Sequence, residues 1–132
     1  MKNLLLLWLG VLVSLSWNSV AVAQPGTWVE LGSAKVDGRV DHDEIWVTAL
    51  RGDFTAIKLS VEEEGVEFDH VIVHYGNGRN EEVEVRAFIK AGGETRVIDL
   101  SGDDRVIRKV DFYFKGNPAT KRKGKVILYG RR

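Results

Sequence analysis

Apolar and polar residues alternate along most of the chain after residue 27. The clearest case is the segment Glu82 to Lys90, in which every second residue is apolar and the residues between are charged, except Phe88. Successive side chains of an extended strand point to opposite faces, so this pattern predicts β-strands with one buried and one exposed face. We find no segment of useful length with the 3.6-residue period of a helix.

The alternating segments are separated by short stretches rich in Gly, Asn and Asp. These residues tolerate the positive φ angles of tight turns and therefore mark the ends of strands. The pattern predicts eight strands: Trp28 to Val36, Glu44 to Ala49, Phe54 to Val61, Val66 to Tyr75, Glu82 to Lys90, Thr95 to Leu100, Val106 to Lys115 and Lys125 to Gly130.

Eight half-buried strands must cover each other's apolar faces. We therefore expect an all-β fold, an antiparallel β-sandwich of about eight strands with a jelly-roll or Greek-key arrangement. An eight-stranded barrel is the alternative. The sequence shows no internal repeat, which predicts one domain over residues 24–132.

The first 23 residues have the composition of a secretory signal peptide. Lys2 provides the positive charge, Leu4 to Val13 forms an apolar run, and Ala21 and Ala23 are the small residues expected before a cleavage site. The run is shorter than the roughly 20 residues that cross a bilayer. We therefore expect a periplasmic or secreted protein that does not span the membrane after cleavage.

Composition narrows the possible functions. The chain has 132 residues and no cysteine, which excludes disulfides, thiol catalysis and cysteine metal sites. The 19 basic residues balance the 19 acidic ones, which argues against a uniformly basic nucleic-acid-binding protein.

The neutral sum hides an uneven distribution. Residues 24–84 carry 5 bases and 14 acids, whereas residues 85–132 carry 13 bases and 5 acids. The basic half, with Lys121, Arg122 and Lys123 in its densest run, could present a face to an anionic cell-envelope polymer or an acidic protein. Alternatively, its bases pair with the acidic strands.

The densest polar cluster is Asp41, His42 and Asp43, directly before a predicted strand. Carboxylates clustered on a loop could bind Ca²⁺, although a solvated loop explains them as well. His70 and His74 share one face of a strand but lie roughly 13 Å apart, so a zinc site would need His42 to join one of them. We expect no other cofactor.

Three aromatic residues, Trp46, Phe88 and Tyr113, fall on the polar side of their strands. Exposed aromatic rings on a sheet suit sugars, whose C–H faces stack on them while polar neighbours bond the hydroxyl groups. The alternative is that these rings pack under loops or against each other.

Several segments together resemble a family of small, signal-bearing bacterial proteins classed as a domain of unknown function. The segments are residues 28–32 (WVELG), 41–47 (DHDEIWV), 92–102 (GGETRVIDLSG) and 105–107 (RVI). The resemblance implies a secreted β-sandwich and transfers no catalytic or binding residue.

No nucleophile, metal or cofactor pattern stands out from these observations. The leading hypothesis is an exported, non-enzymatic binding module of the cell envelope for an anionic or glycan ligand. The alternatives are a metal-dependent hydrolase that uses the Asp41, His42 and Asp43 cluster, and a structural subunit of an envelope assembly.

Overall fold

The computed structural model describes residues 26–38, 40–48, 51–102, 105–115 and 123–132. The predicted signal peptide therefore lies outside the described residues. The strands in this part of the chain are β1 (Trp28–Asp37), β2 (His42–Trp46), β3 (Asp53–Phe54), β4 (Ala56–Glu62), β5 (Val66–Tyr75), β6 (Asn80–Ile89), β7 (Ile98–Asp99), β8 (Arg105–Phe114) and β9 (Lys123–Arg131).

The strands form two antiparallel sheets. One has the order β1-β9-β4-β7, and the other has the order β2-β8-β5-β6 with β3 paired to the start of β8. Neither closes on itself within the described ranges, so the fold is the predicted β-sandwich and not the alternative barrel. This part of the chain contains no helix with the length and apolar character required to cross a bilayer.

One predicted strand proves to be two. The segment Phe54 to Val61 is interrupted at Thr55, where the chain leaves one sheet and enters the other. Phe54 pairs with β8, whereas Ala56 pairs with β7 and β9. The Thr55 amide donates to the Arg131 carbonyl at this corner, which keeps the backbone hydrogen-bonded through the change of sheet.

The core lies between the sheets and consists mainly of apolar residues at alternating strand positions. Ile57, Leu59 and Val61 of β4 have no exposed surface, and Val110 and Phe112 of β8 have none either. Apolar burial of this kind is the main favourable term in folding. Since the inner positions of β2, β5 and β8 are apolar, the side chains between them must point to the opposite face of that sheet.

Candidate functional site

The opposite face of the β2-β8-β5-β6 sheet, which we call the outer face, carries three rows of side chains. Antiparallel register places these residues opposite one another across four strands. The first row is His42, Tyr113, His70 and Glu84; the second is Glu44, Asp111, Ile72 and Glu82; the third is Trp46, Lys109, His74 and Asn80. All three histidines of the chain therefore lie on one face.

The first row contains a stack of three rings. The ring centroids of His42 and Tyr113 are 4.7 Å apart with an interplanar angle of 22°, and those of His70 and Tyr113 are 4.3 Å apart at 12°. Nδ1 of His70 lies 2.6 Å from a carboxylate oxygen of Asp69. Both faces of the Tyr113 ring are thus covered, so Tyr113 presents its edge and hydroxyl group to a ligand and not a stacking face.

The second and third rows are joined by a chain of polar contacts. The Trp46 indole donates to Oε1 of Glu44 over 2.9 Å, and the Lys109 ammonium donates to Oε2 of the same carboxylate over 2.9 Å. Lys109 also lies 3.5 Å from Oδ1 of Asp111, whose Oδ2 is 2.8 Å from Nε2 of His74. These contacts restrict the rotation of the side chains that form this network.

Electrostatics keep the central pair charged. The hydrogen bond from Lys109, followed by that from Trp46, lowers the pKa of Glu44. The same bond raises the pKa of Lys109, with a further contribution from the charge of Asp111. Both groups are therefore ionised at neutral pH, as expected for an ion pair whose partners each favour the charged form of the other.

Asp111 is the buried member of this network. Its residue is 7% exposed, and Oδ1 has no hydrogen-bond partner. One atom each from His42, Glu44 and Asp111 lie within 4.8 Å of one another. A buried carboxylate oxygen without a hydrogen bond is costly, so this cluster is where the outer face most needs a positive charge.

Two exposed aromatic rings stand at opposite ends of the outer face. Trp46 is 58% exposed, and Phe88 is 63% exposed on β6. Phe88 lines a cleft of about 360 Å³ together with Glu67, Asp69, Arg86 and Lys115. The strand bulges beside this cleft, and Arg86 adopts a positive φ of 43°, a conformation that non-glycine residues rarely take outside functional or bulged sites.

The structure brings the three predicted aromatic residues, Trp46, Phe88 and Tyr113, onto one face of one sheet. Lys123 instead begins β9 in the other sheet, where it lies opposite Asp37. Lys121 and Arg122 lie outside the described residues. The three predicted aromatic residues and Lys123 of the predicted basic run therefore lie on different sheets.

The predicted metal cluster is divided by the strand. His42 points to the outer face, whereas alternation turns Asp43 toward the side of buried Ile45, and Oδ1 of Asp43 accepts the Glu44 amide. Asp41 precedes β2 and contributes its carbonyl oxygen to the Phe114 amide. The partners that His42 meets across the sheet, above all Asp111, were missed because only the β2 to β8 pairing reveals them. The available signal was a carboxylate at an alternating position within an apolar strand.

The basic half of the chain is partly neutralised by the acidic half. Lys109 pairs with Glu44, and Lys115 lies 3.1 Å from Glu67. Register also places Lys125 opposite Glu62. Cross-strand pairing, one of the two predicted alternatives, is thus seen at these positions.

Comparison with known proteins supports the fold. A family model described as a domain of unknown function (DUF2541) matches residues 5–130. No curated protein matches the sequence. Among solved structures, AlgX of Pseudomonas aeruginosa is similar with a TM-score of 0.53 and 16% identity over 80% of this chain, and the chain spans only 26% of that protein.

Two further structures show weaker likeness. A mutant of a family 29 carbohydrate-binding module has a TM-score of 0.39 and 14% identity, with 79% of this chain and 91% of that chain covered. The Drosophila NLP core has a TM-score of 0.33 and 22% identity, with 78% and 97% covered.

Proposed function

The chain belongs to the DUF2541 family, a domain of unknown function, and we propose that it is an exported binding module of the cell envelope whose outer face binds an extended neutral or amino-sugar glycan. The observation that carries this proposal is the outer face itself. It combines three ordered rows of hydrogen-bonding side chains with an exposed ring at each end. Export is supported by the predicted signal peptide in residues 1–23.

Trp46 is the residue best suited to stack on a sugar. More than half of its surface is exposed, while its indole nitrogen is held by Glu44 and the Lys109 ammonium lies 4.9 Å from its ring centroid. The ring is therefore fixed before a ligand arrives, which lowers the entropy cost of binding. The polar groups of the neighbouring rows can then bond the hydroxyl groups of the ligand.

The spacing of the two exposed rings favours a long ligand. Trp46 and Phe88 are separated by three strand spacings, about 14 Å, and by roughly 25 Å along the strands. A ligand that touches both must extend over roughly 30 Å by the same geometry. This length fits an oligosaccharide and exceeds any monosaccharide.

The charge of the outer face selects against anionic glycans. Its three rows contain four carboxylates, those of Glu44, Asp111, Glu82 and Glu84, against Lys109 and the Arg86 guanidinium, which lies 3.0 Å from Glu84. A polyanion would be repelled by this surplus of negative charge. Neutral sugars avoid the repulsion, and amino sugars are attracted.

The proposal is tested by applying the protein to an array of neutral and amino-sugar oligosaccharides and then measuring its affinity for the oligosaccharides it binds by calorimetry. We expect Trp46→Ala to weaken binding by about tenfold or more, a loss of about 1.4 kcal/mol. Trp28→Ala, which removes a tryptophan from β1 in the other sheet, is the matched control and should bind like the wild type. The proposal would be contradicted if Trp46→Ala and Trp28→Ala lost the same amount of affinity, or if the wild type bound no oligosaccharide on the array.

Salt separates this proposal from the anionic-ligand alternative. Binding of a neutral glycan should change little between low and high salt, since only charge interactions are screened. A steep fall in affinity with salt that is seen for an anionic polymer, with no binding of neutral or amino-sugar glycans, would instead identify an anionic ligand at the basic segment that includes Lys121, Arg122 and Lys123.

A further inference from the structure

We infer that His42, Glu44 and Asp111 form a binding site for a divalent transition metal of the Zn²⁺ class. His42 and Glu44 lie on the outer face of β2, Asp111 of β8 lies opposite Glu44, and one ligand atom of each residue lies within 4.8 Å of the others. One imidazole nitrogen and two carboxylate oxygens are donors that Zn²⁺ accepts, with a fourth position left for water or a ligand. This inference does not depend on glycan binding.

Both carboxylates are already oriented as metal ligands usually are. Trp46 bonds Oε1 of Glu44, and His74 contacts Oδ2 of Asp111. Outer partners of this kind fix the direction of a ligand and are a regular feature of protein metal sites. The other two oxygens, Oε2 of Glu44 and Oδ1 of Asp111, both lie near the Lys109 ammonium, at 2.9 and 3.5 Å.

The buried oxygen of Asp111 points to a cation. Its side chain is nine-tenths buried, and Oδ1 has no hydrogen-bond partner; its nearest cation is the Lys109 ammonium at 3.5 Å. That distance is long for a charge-assisted hydrogen bond, which normally measures about 2.7–2.9 Å. The lysine therefore neutralises this oxygen incompletely, and a metal ion at about 2.0–2.2 Å would satisfy it.

Lys109 is the competitor for this site. Its ammonium lies 2.9 Å from Oε2 of Glu44 and occupies the point that the two carboxylates share. The ammonium already lies 4.9 Å from the centroid of the Trp46 ring, so a cation–π contact would remain if the flexible side chain moved closer to that ring. Metal binding would displace the ammonium toward that ring, so the metal affinity of the wild type depends on the free energy of moving the Lys109 ammonium away from the two carboxylates.

The donor set distinguishes the metal. Ca²⁺ requires six to eight oxygen ligands, whereas this cluster offers a nitrogen and two carboxylates. The site also differs from the sequence-predicted cluster, since it shares His42 but replaces Asp41 and Asp43 with Glu44 of the same strand and Asp111 of β8. These differences allow the two hypotheses to be separated by single substitutions.

The test is calorimetric titration of the chelator-treated full chain with Zn²⁺, with Ca²⁺ as the comparison metal. We expect one Zn²⁺ per chain and no heat with Ca²⁺. Loss of a residue that only hydrogen-bonds a metal ligand typically lowers metal affinity by roughly 10- to 100-fold. His42→Ala and Asp111→Asn remove ligands themselves, so each should lower Zn²⁺ affinity by more than this. Lys109→Met, which removes the competing charge but keeps the length of the side chain, should bind Zn²⁺ more tightly than the wild type.

Asp43→Asn is the matched control, because it makes the same chemical change one strand position from His42 on the opposite face. It should bind Zn²⁺ like the wild type. Loss of binding in Asp43→Asn with retention in Asp111→Asn would overturn the inference in favour of the loop cluster. Absence of binding in both the wild type and Lys109→Met would overturn it outright.

A measurement on the wild type guards against variants that fail to fold. Zn²⁺ should shift the imidazole NMR signals of His42 strongly and leave those of His70 nearly unchanged, since Nδ1 of His70 is held by Asp69 outside the cluster. A shift at His70 without one at His42 would contradict the assigned site. Because Zn²⁺ alone is the probe, failure here leaves the glycan proposal standing, and failure on the array leaves the metal site standing.

Discussion

Gly130 is the position where the structure predicts the sharpest effect of a single methyl group. It lies in β9 between β1 and β4, opposite Val29 on one side and Ile57 on the other. A Cβ atom added there would lie 2.6 Å from Cδ1 of Phe54 and 2.9 Å from Cδ1 of Leu31. The φ angle of Gly130 is not positive, so alanine fits the backbone and the whole penalty is steric.

Two effects of opposite sign decide the result. Replacing Gly by Ala within a strand should stabilise by about 0.5–1 kcal/mol, because glycine loses more conformational freedom on folding. Crowding a packed core costs about 1–3 kcal/mol. Phe54 has no exposed surface and Gly130 is held by ladders on both sides, so neither can move freely. We therefore expect Gly130→Ala to destabilise the fold by about 1–2 kcal/mol, a fall in Tm of roughly 5–15 °C.

Urea denaturation followed by tryptophan fluorescence measures this loss. The partner test is the same substitution in a Phe54→Leu background, where the smaller side chain leaves room for the new methyl group. There Gly130→Ala should be neutral or stabilising, which corresponds to a coupling energy of at least about 1 kcal/mol between the two positions. If Gly130→Ala costs the same in both backgrounds, contact with Phe54 is not the cause and the reasoning fails.

Substitutions at three further positions test other parts of the fold. Gly78 has a φ of +91° with no atom within 4 Å of an added Cβ, so Gly78→Ala should cost about 1–2 kcal/mol through the backbone alone, measured in urea, and Gly78→Asn should cost less. Burial opposes ionisation of Glu81, but hydrogen bonds from Ser101 and Tyr75 outweigh it and lower its pKa below the ordinary value of 4.5. The stability that Glu81 contributes is therefore present above about pH 4.5 and is lost as the pH falls through the lowered pKa. Glu81→Gln should be less stable than the wild type at pH 7, and the difference should close in an acid titration followed by circular dichroism. Tyr113→Phe should keep the ring stack and change the free energy of unfolding by less than about 0.5 kcal/mol, whereas Tyr113→Ala should cost about 1–2 kcal/mol in the same urea assay.

Strand faces could be predicted from the sequence because they depend only on local alternation. Val110 and Phe112 alternate with polar residues in the predicted strand Val106 to Lys115 and are buried, while Phe88 lies at a polar position of its strand and is exposed. Changes of sheet are not local. The apolar positions change phase at Ala56 and Ile57, directly after Thr55, but this change does not reveal that the hydrogen-bonding partners switch there from β8 to β7 and β9.

Strand length shows the same limit. The predicted strand Thr95 to Leu100 is reduced to Ile98–Asp99, the residues that form a ladder with β4. Thr95 also contacts β4: its amide donates to the Leu59 carbonyl, and its Oγ1 accepts a hydrogen bond from the Leu59 amide. Alternation alone cannot distinguish a continuous ladder from a single residue that bonds the neighbouring strand in this way.

The candidate site divides in the same way. Trp46 and Tyr113 could be singled out because each is aromatic at a polar position of its own strand. The contact of Lys109 with Glu44 joins residues 65 positions apart, and no local pattern encodes that distance. Among the pairings of the described strands, only that of β5 with β6 connects neighbours in sequence, so the composition of the outer face is set by topology.

Topology also determines how the uneven charge of the sequence is used. β8 comes from the basic half of the chain but lies between β2 and β5 of the acidic half. Its outward side chains in the three rows are Lys109, Asp111 and Tyr113, so β8 supplies one cation to a surface where four carboxylates meet. We expect the remaining negative charge to disfavour an anionic ligand and to favour a metal ion for the same electrostatic reason. Replacing Lys109 should therefore raise the metal affinity of the outer face and deepen the exclusion of polyanions.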